Sequence, residues 1–549
     1  MSHIASPEIF VDRVVLQNRL FGKLSEMFAA EVPLYDKSLV VNQVCNRALC
    51  DLFSLLYPEF QIDDAGIVET SGERHGAIRI GRRDEYRWMG RLFACFAMEP
   101  HNFYDMSSIG AKSQPIIATA FRSRFYPEHR VFCSLLLTDF FDARTRARIE
   151  DLVSRRQAVS PEAQSLIECS EQNGGLTESE AETLIHECTA SIFKWTGEAY
   201  DYDLYRELCG AGAKIAADIA CFQSHHLNHL TPNTFCIDVY TSAMKFCLGE
   251  ILTEQLQQRL ELAFARLAAQ TDHHALSLLF RSVSSETCAG LVRRWPAPEE
   301  IQSVVDRLLA RLAQPDLVLT RLNHSGFKDA TEGPSQDTPV LLRQDAYKAL
   351  SEPVKFHNPD GGTVAASHTA RFGEIEQRSY ATTSAGRQLY DSCLAESERL
   401  LSQSQLPASD WRGREALYAS AFAAFPKTLP ELYRQGLVYV RYSATTAGLQ
   451  AAGHISTDNL QELLDLGYVL YEGQRYEDFL PISAAGIFAS NLNQYGTAST
   501  AETRPVYQQA DLEAILGRPI IDANLQYAEI EKQSLAETYH HLRLAQRMA

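Results

Sequence analysis

The chain has 549 residues, of which 45% are hydrophobic and 22% are charged, proportions that are typical of a folded protein with a large core and argue against extended disorder. The net charge is -18 and no basic run is longer than Arg82-Arg83 and its neighbours, which argues against nucleic acid or an anionic membrane as a partner. No stretch approaches the roughly 20 apolar residues of a membrane helix, and the 12 scattered Cys without a CxxC pair predict reduced, buried thiols, so we expect a cytoplasmic protein.

The predicted elements begin with a helical opening over 8–60, where apolar residues recur every three or four positions. Two short segments bounded by Gly follow at 66–70 and 76–80, and their partial alternation of apolar and polar residues is typical of strands. Helical spacing returns over 135–215, with Ser160 placed before Pro and Glu as a helix start. The first part of the chain is therefore predicted to combine helical layers with a strand region.

The pattern continues with a loose match to a dinucleotide-binding fingerprint at 210–216, which a helix-like stretch precedes, so we interpret it as a turn between two helices. Residues 227–240 suggest a strand followed by a turn, and 246–325 show helical spacing throughout. A loop is predicted at 329–338, and the end of the chain is polar and helical. We expect strands of one mixed sheet at 339–350, 371–378, 436–442 and 468–471.

The strand groups are separated by long helical runs and do not alternate with single helices, which predicts an α+β fold and not a doubly wound parallel sheet. We divide the chain into the N-terminal part of a main domain (1–245), a helical insertion (246–325) and the C-terminal part of the same domain (326–549). The length alone would also allow three or four separate domains.

Three short polar segments could carry chemistry: ERHG at 73–76, HLTP at 229–232 and FGEIEQR at 372–378. Together they can supply two imidazoles and one carboxylate, the usual protein ligands of a mononuclear non-haem Fe(II) ion, which leaves three positions for a chelating substrate and O2. Because the chain contains 16 His and 69 Asp and Glu, spacing alone does not select three ligands.

Two carboxylates, Glu374 and Glu376, lie on the same face of the strand predicted in the third segment. In an apolar setting this arrangement is costly unless a cation or a hydrogen-bonding partner neutralises the charges. Pairing with Arg371, Arg378 or Arg387 is one explanation, and a bound metal ion is the other.

His229 is a candidate for a single metal ligand. In a helix, His225 and His229 would lie one turn apart and could share a zinc ion, whereas on a strand they are about 13 Å apart, too far for one metal. Pro232 argues against a continuing helix and favours the strand. The alternative for His229 is a core His whose hydrogen bonds are satisfied within the protein.

His75 and Arg79 are four residues apart and therefore share one face of the predicted strand. A His and an Arg on one face suit a site for a metal-chelated dianion, because a guanidinium can bind a carboxylate through two parallel hydrogen bonds. A surface ion pair is the alternative interpretation.

The chain resembles the 2-oxoadipate dioxygenase/decarboxylase family across nearly its whole length outside 246–325. The resemblance is specific because four motifs occur together: HLNHLTP at 226–232, PVLLRQ at 339–344, GEIEQR at 373–378 and DFLPISAAGIF at 478–488. That family looks related to the vicinal-oxygen-chelate enzymes. The resemblance therefore implies a vicinal-oxygen-chelate-like mixed β-sheet core that encloses a metal site, with extensive helical layers around it.

The resemblance also implies a set of metal ligands. Carried over residue by residue, His75, His229 and Glu374 would bind Fe(II). The pattern at 374–378 is similar to the strand that supplies the carboxylate ligand in 4-hydroxyphenylpyruvate dioxygenase, and this similarity implies Glu374 and not Glu376 as the third ligand.

The substrate residues implied by the resemblance are Arg79, which would hold a carboxylate, and Ile482 with Ser483, which would line the pocket near the other end of the substrate. The implied reaction converts 2-oxoadipate and O2 to (R)-2-hydroxyglutarate and CO2, a step of lysine breakdown, in a catalytic domain formed by the two parts that flank the insertion. The expected partners are thus a small 2-oxo diacid and O2, with the oligomeric state left open. An isomerase or lyase with another metal on the same scaffold, and a non-catalytic helical interaction protein, are the competing hypotheses.

Overall fold

A computed structural model of the protein describes residues 9–72, 74–108, 113–124, 126–280, 283–328, 330–407, 410–480, 497–501 and 506–544. These residues form an α+β structure, as the sequence predicts. The helices before residue 248 are α1 (Arg13–Glu31), α2 (Pro33–Leu56), α3 (Asp64–Ser71), α4 (Arg83–Cys95), α5 (Ala143–Ser154), α6 (Pro161–Asn173), α7 (Glu178–Glu187), α8 (Tyr202–Gly210), α9 (Lys214–Cys221) and α10 (Ile237–Cys247).

The later helices begin with those of the predicted insertion, which are α11 (Thr253–Gln270), α12 (His273–Leu279), α13 (Ser285–Ala289) and α14 (Pro298–Leu312). The C-terminal helices are α15 (Ser384–Gln403), α16 (Trp411–Ala421), α17 (Leu429–Arg434), α18 (Thr446–Ala451), α19 (Leu460–Asp465), α20 (Gln509–Leu516) and α21 (Ala523–His541). The strands are β1 (Arg74–Ile80), β2 (Glu99–Asp105), β3 (Ile116–Arg122), β4 (His129–Leu136), β5 (Glu198–Tyr200), β6 (His229–Pro232), β7 (Leu342–Tyr347), β8 (Ser351–His357), β9 (Thr363–Thr369), β10 (Gly373–Arg378), β11 (Val440–Ala444) and β12 (Val469–Gly473).

The main sheet has five strands in the order β2-β3-β4-β1-β6, with β1 parallel to β4 and the other neighbours antiparallel. In the pairing of β1 with β6, His75 lies opposite Thr231 and Ala77 lies opposite His229. Directly opposite residues point to the same face of a sheet, and so do alternate residues along a strand. The register therefore puts His75, Ala77, Arg79, His229 and Thr231 on one face.

A two-stranded ribbon of β7 and β10 lies beside β6. It is joined to that part of the chain by a parallel bridge between Asn233 and Glu376, in which the backbone N–H of Thr234 donates to the carbonyl of Glu376 (2.8 Å). This bridge brings β10, and with it Glu374, next to the edge strand that carries His229. A separate three-stranded sheet has the order β5-β8-β9.

The prediction of one mixed sheet in the C-terminal part is wrong, because β7 pairs with β10 whereas β11 pairs with β12 in a second ribbon. The edge of β11 is covered by helix α21. The N–H of Val440 donates to Glu531 Oε2 (2.8 Å) and the N–H of Tyr442 donates to Ser534 Oγ (3.1 Å). Side chains of helix α21 thus accept hydrogen bonds from backbone N–H groups of β11 that a neighbouring strand would otherwise accept.

The predicted strand at 66–70 is also wrong, because these residues lie in helix α3. Asp63 caps that helix by accepting a hydrogen bond from the N–H of Gly66 (2.8 Å), an interaction that favours a helix start over an extended segment. The prediction for 227–240 holds for β6, but helix α10 follows from Ile237. The helical opening, the strand at 76–80, the helix start after Ser160 and the helix-to-helix turn before α9 are confirmed.

Helix α2 is long and apolar, although the sequence analysis expected no stretch close to a membrane helix. Among the described helices it is the one that is long and apolar enough to cross a membrane by length and composition, with a mean hydropathy of 1.2 over its best window. More than half of that window, 56%, is buried inside the structure. An apolar helix in contact with α1, α10 and α14 is typical of a protein core.

The helices of the 246–325 block pack onto the first of two large hydrophobic clusters, which also contains α1, α2 and the main sheet. Leu260 and Phe264 of α11 and Val305 of α14 are fully buried there. Leu278 of α12 belongs to the second cluster, which contains β11, β12 and α21. The block therefore contacts both of the large hydrophobic clusters that the described residues form.

We expect Phe280→Ala to lower the free energy of unfolding by about 3 to 5 kcal/mol, because it leaves a cavity in the core. Phe280 is fully buried, and its ring contacts those of Phe53, Phe60 and Phe235 at centroid distances of 6.0, 5.1 and 4.7 Å. Urea unfolding measures the change. The control is Val292→Ala in the same block, where Val292 is 71% exposed and a change within about 0.5 kcal/mol is expected. Equal effects of the two substitutions would contradict packing of the block onto the core.

Candidate metal centre

Three of the sequence-predicted site residues meet in the structure: His75 of β1, His229 of β6 and Glu374 of β10. Their ligand atoms lie within 4.8 Å of one another, with His75 Nε2 3.1 Å and His229 Nε2 3.6 Å from Glu374 Oε2. All three side chains are buried. Metal–nitrogen bonds of about 2.1 Å put neighbouring ligand atoms roughly 3 Å apart, so the observed spacing fits one ion.

His229 offers an unused ligand atom at this point. Both ring nitrogens are buried and make no hydrogen bond within the described part of the chain. The ring stacks on Phe372 (centroids 5.2 Å apart) and contacts His75 edge to face (5.3 Å). Burial lowers the pKa of His229 to about 4, so the imidazole is neutral near pH 7 and keeps a lone pair. A buried nitrogen without a partner costs about 1 to 3 kcal/mol, which a metal bond would offset.

His75 is held from its other side by Glu376. Its Nδ1 lies 2.6 Å from Glu376 Oε2, while Nε2 faces Glu374. Burial acts to lower the pKa of His75, but the charges and hydrogen bonds of Glu376 and Glu374 raise it above its usual value. A carboxylate that accepts the second N–H of a metal-binding His fixes the ring orientation and makes the ligand more basic.

The two carboxylates of β10 thus have different surroundings. Glu376 accepts two hydrogen bonds from Arg378 (2.8 and 2.9 Å) and lies 3.6 Å from Arg130. Burial acts to raise its pKa, but Arg378, His75 and Arg130 hold it well below the usual value. Pairing with Arg378, the alternative interpretation of the sequence, is therefore confirmed for Glu376.

Glu374 contacts two imidazole rings and a hydroxyl group, whereas Glu376 also contacts two guanidinium groups. Besides the two imidazoles, it accepts a hydrogen bond from Thr231 Oγ1 (3.3 Å). Burial acts to raise the pKa of Glu374, but His229 and His75 lower it below its usual value, so the carboxylate is ionised at neutral pH. Two imidazoles and one ionised carboxylate in a buried cluster fit a divalent metal ion.

An apolar wall lies on the same face of the main sheet. Phe479 contacts the ring of His75 edge to face (5.0 Å) and Phe132 of β4 at 5.4 Å. Both belong to a buried cluster with Tyr104 and three small residues, Ala77, Ala118 and Ala120. The aromatic ring beside His75 is an apolar surface on that side of the cluster, and the small residues limit how far side chains extend from the sheet.

Arg79 lies on the face shared with His75, as predicted, and its side chain is buried. Its Nη1 donates a hydrogen bond to Asp218 Oδ2 (2.6 Å) of helix α9. The partner is therefore a buried carboxylate of the interior, and the alternative of a surface ion pair is wrong. The predictions for Ile482 and Ser483 lie outside the described residues.

Pairing of Glu376 with Arg378 was one of the explanations given for the two carboxylates, whereas the contact of Glu376 with His75 was not predicted. One other residue of this region was missed. Asp218 was not considered, although it is the one acidic residue in KIAADIAC, a helix of otherwise mostly apolar residues. A lone acidic residue on a buried helix needs a partner, which is the signal that could have identified it.

The model of a family described as 2-oxoadipate dioxygenase/decarboxylase matches residues 20–276 and 304–491. The internal stretch that the family model does not match is 277–303. It is shorter than the 246–325 block, which the sequence analysis placed outside the resemblance.

Two bacterial relatives align over nearly the full length. The 2-oxoadipate dioxygenase/decarboxylase of Pseudomonas putida is 32% identical over 542 residues, which cover 96% of each chain. The protein of the same description from Escherichia coli is 31% identical over 522 residues, which cover 93% of this chain and 95% of the relative.

A solved structure shows the same overall fold. The crystal structure of the hydroxyglutarate synthase from Pseudomonas putida in complex with 2-oxoadipate has a TM-score of 0.68 and 30% sequence identity. The superposition covers 97% of this chain and 99% of the other.

Proposed function

Because the chain belongs to the 2-oxoadipate dioxygenase/decarboxylase family, we propose that it converts 2-oxoadipate and O2 to (R)-2-hydroxyglutarate and CO2. The observation that carries the proposal is the buried cluster of His75, His229 and Glu374, with the basic residue Arg79 on the same sheet face. The family's step in lysine breakdown is the context that we propose for the reaction, and the cytoplasm is the compartment that suits its 12 free thiols.

The proposed cofactor is Fe(II), held by His75, His229 and Glu374. Bound there, the ion would supply coordination positions for the keto acid and for O2. The choice of iron rests on the family and on the donor set of two imidazoles and one carboxylate. We further propose that the main sheet with the β7–β10 ribbon is the vicinal-oxygen-chelate-like part of the fold.

The chain's own residues would hold the substrate and the ligands in place. Arg79 binds the remote carboxylate of the diacid and so fixes which carbon faces the metal, and such positioning can contribute several kcal/mol to the barrier. Glu376 keeps the proton on Nδ1 of His75, so that Nε2 points to the metal. Phe479 excludes water beside His75. Ile482 and Ser483 remain proposed lining residues near the other end of the substrate.

The test is O2 consumption by protein loaded with Fe(II) without air, after addition of 2-oxoadipate, with the product separated on a chiral column. We expect one (R)-2-hydroxyglutarate and one CO2 for each O2 consumed. The matched control substrate is adipate, which lacks the keto oxygen needed for chelation and should support no uptake. Iron-loaded protein that consumes no O2 with 2-oxoadipate would contradict the proposal.

A further inference from the structure

A second buried polar cluster lies beside the metal centre, and the function proposed above uses one member of it, Arg79. Its centre is Asp218 of α9. Asp218 accepts hydrogen bonds from Arg79 Nη1 (2.6 Å, at Oδ2) and from His368 Nε2 of β9 (2.8 Å, at Oδ1). The ring of His226 completes the cluster, with its Nε2 3.2 Å from Oδ1. All four side chains are buried, with 5% exposure or less.

The protonation states set the direction of these hydrogen bonds. Burial acts to raise the pKa of Asp218, but His226, Arg79 and His368 hold it well below its usual value, so the carboxylate is ionised and can only accept. Burial lowers the pKa of His368, so its ring is neutral, with one donor and one acceptor nitrogen. His368 Nε2 therefore donates to Asp218, and Nδ1 accepts from the hydroxyl of Tyr205 on α8 (2.9 Å).

These contacts connect Arg79 to three other elements of the fold, α9, β9 and α8. An Arg side chain is long and flexible, and its guanidinium binds a carboxylate well only in a fixed orientation. Asp218 accepts a hydrogen bond from one nitrogen of the guanidinium, Nη1, and also balances its charge, which avoids burying an unpaired cation. Recognition of a substrate carboxylate then depends on how the guanidinium of Arg79 is oriented and less on net charge.

We propose that Asp218 is a positioning residue that orients Arg79 toward the remote carboxylate of the 2-oxo diacid. The inference rests on the proposed function, because it takes Arg79 as the residue that binds this carboxylate. A displacement of about 1 Å in a bound substrate can cost about 100-fold in rate. Loss of the Asp218 charge should therefore act on diacids, which reach Arg79, and spare monoacids, which do not.

The experiment compares 2-oxoadipate with 2-oxohexanoate, which has the same chain length and no remote carboxylate. For Asp218→Asn, we expect kcat/KM for 2-oxoadipate to fall about 10- to 100-fold. Binding of 2-oxohexanoate to the anaerobic iron-loaded protein, measured by calorimetry, should change at most about twofold to threefold, since this ligand has no group for Arg79. In an Arg79→Ala background, Asp218→Asn should cause no further loss, because the two residues act as one unit.

Two further variants keep the test decisive. Tyr205→Phe removes one hydroxyl at the end of the network and should give a smaller loss with the same selectivity for the diacid, even where Asp218→Asn fails to fold. Asp238→Asn is the matched control, because it breaks another Arg–Asp pair, with Arg343 of β7 (3.1 Å). Arg343 lies on the other face of the β7–β10 ribbon from Glu374, so turnover of 2-oxoadipate and binding of 2-oxohexanoate should both stay unchanged.

Equal losses for the two acids, or losses that add to those of Arg79→Ala, would assign Asp218 a structural role alone and overturn the inference. Wild-type kinetics in both Asp218→Asn and Tyr205→Phe would also overturn it. Failure of the proposed function is distinguishable, because it appears in the wild-type protein as absent O2 uptake with 2-oxoadipate despite bound iron.

Discussion

Glu374→Ala is expected to give a folded protein that holds no stoichiometric iron and consumes no O2 with 2-oxoadipate. The substitution removes the carboxylate on which both imidazoles converge, at 3.1 and 3.6 Å. Loss of a residue that only supports a ligand typically costs 10- to 100-fold in metal affinity, so loss of the anionic ligand itself should weaken iron binding by more than about 100-fold. Iron content after gel filtration and the iron dissociation constant by chelator competition measure the effect.

The control for this variant is Glu352→Gln, which removes the charge of another buried glutamate. Glu352 lies on β8 and pairs with Arg371 (2.6 Å). The control substitution should lower stability and leave iron affinity unchanged. Normal iron content and turnover in folded Glu374→Ala would remove Glu374 from the metal site. A second sign is thermal: iron should raise the melting temperature of the wild type and not of Glu374→Ala, since ligand binding stabilises the folded state.

Glu376→Gln is expected to weaken iron binding by about 10- to 100-fold while the protein stays folded. The amide of Gln can still contact Nδ1 of His75, but it carries no charge that would make the imidazole more basic. The amide can also turn so that its NH2 group, and not its carbonyl oxygen, faces the N–H at Nδ1. The same chelator competition gives the dissociation constant. Turnover at saturating iron should recover most of its wild-type value, because the three proposed ligands remain.

Glu477→Gln is the graded control for Glu376→Gln. Glu477 pairs with Arg130, and Arg130 lies 3.6 Å from Glu376. The carboxylate of Glu477 is therefore separated from His75 by Arg130 and Glu376, whereas Glu376 contacts His75 directly. The effect of Glu477→Gln on iron affinity should be smaller than that of Glu376→Gln. An equal effect would indicate that the charge of the whole buried network, and not the contact with Nδ1, controls the metal ligand.

The sequence predicts those parts of the site that depend on local geometry. The period of a strand is enough to put Glu374 with Glu376, and His75 with Arg79, on common faces, and the structure agrees in both cases. Which of the two carboxylates meets the imidazoles depends on how β10 lies beside β6. That placement is set by the Asn233–Glu376 bridge, a contact between residues distant in sequence, and local pattern carries no information on it.

The same limit explains the errors in the fold. The segments at 339–350, 371–378, 436–442 and 468–471 were identified as strands, and a strand is present in each. Their distribution over two ribbons depends on Glu531 and Ser534 of a helix near the C-terminus, which satisfy the edge of β11. The partner of Arg79 was missed for a similar reason, because Asp218 reaches it across 139 positions of the chain.

The order in which the three proposed metal ligands are synthesised has a consequence for how the protein would acquire an ion. His75 and Glu374 are separated by 299 positions, and His75 and His229 leave the ribosome well before the carboxylate. At about 5 to 20 residues per second, synthesis of the stretch between His229 and Glu374 takes on the order of 10 s. During that interval a nascent chain presents two imidazoles alone, an incomplete set that can bind several divalent transition metals. With the proposed ligand set, a complete metal site can form only once Glu374 has been synthesised and β10 docks beside β6.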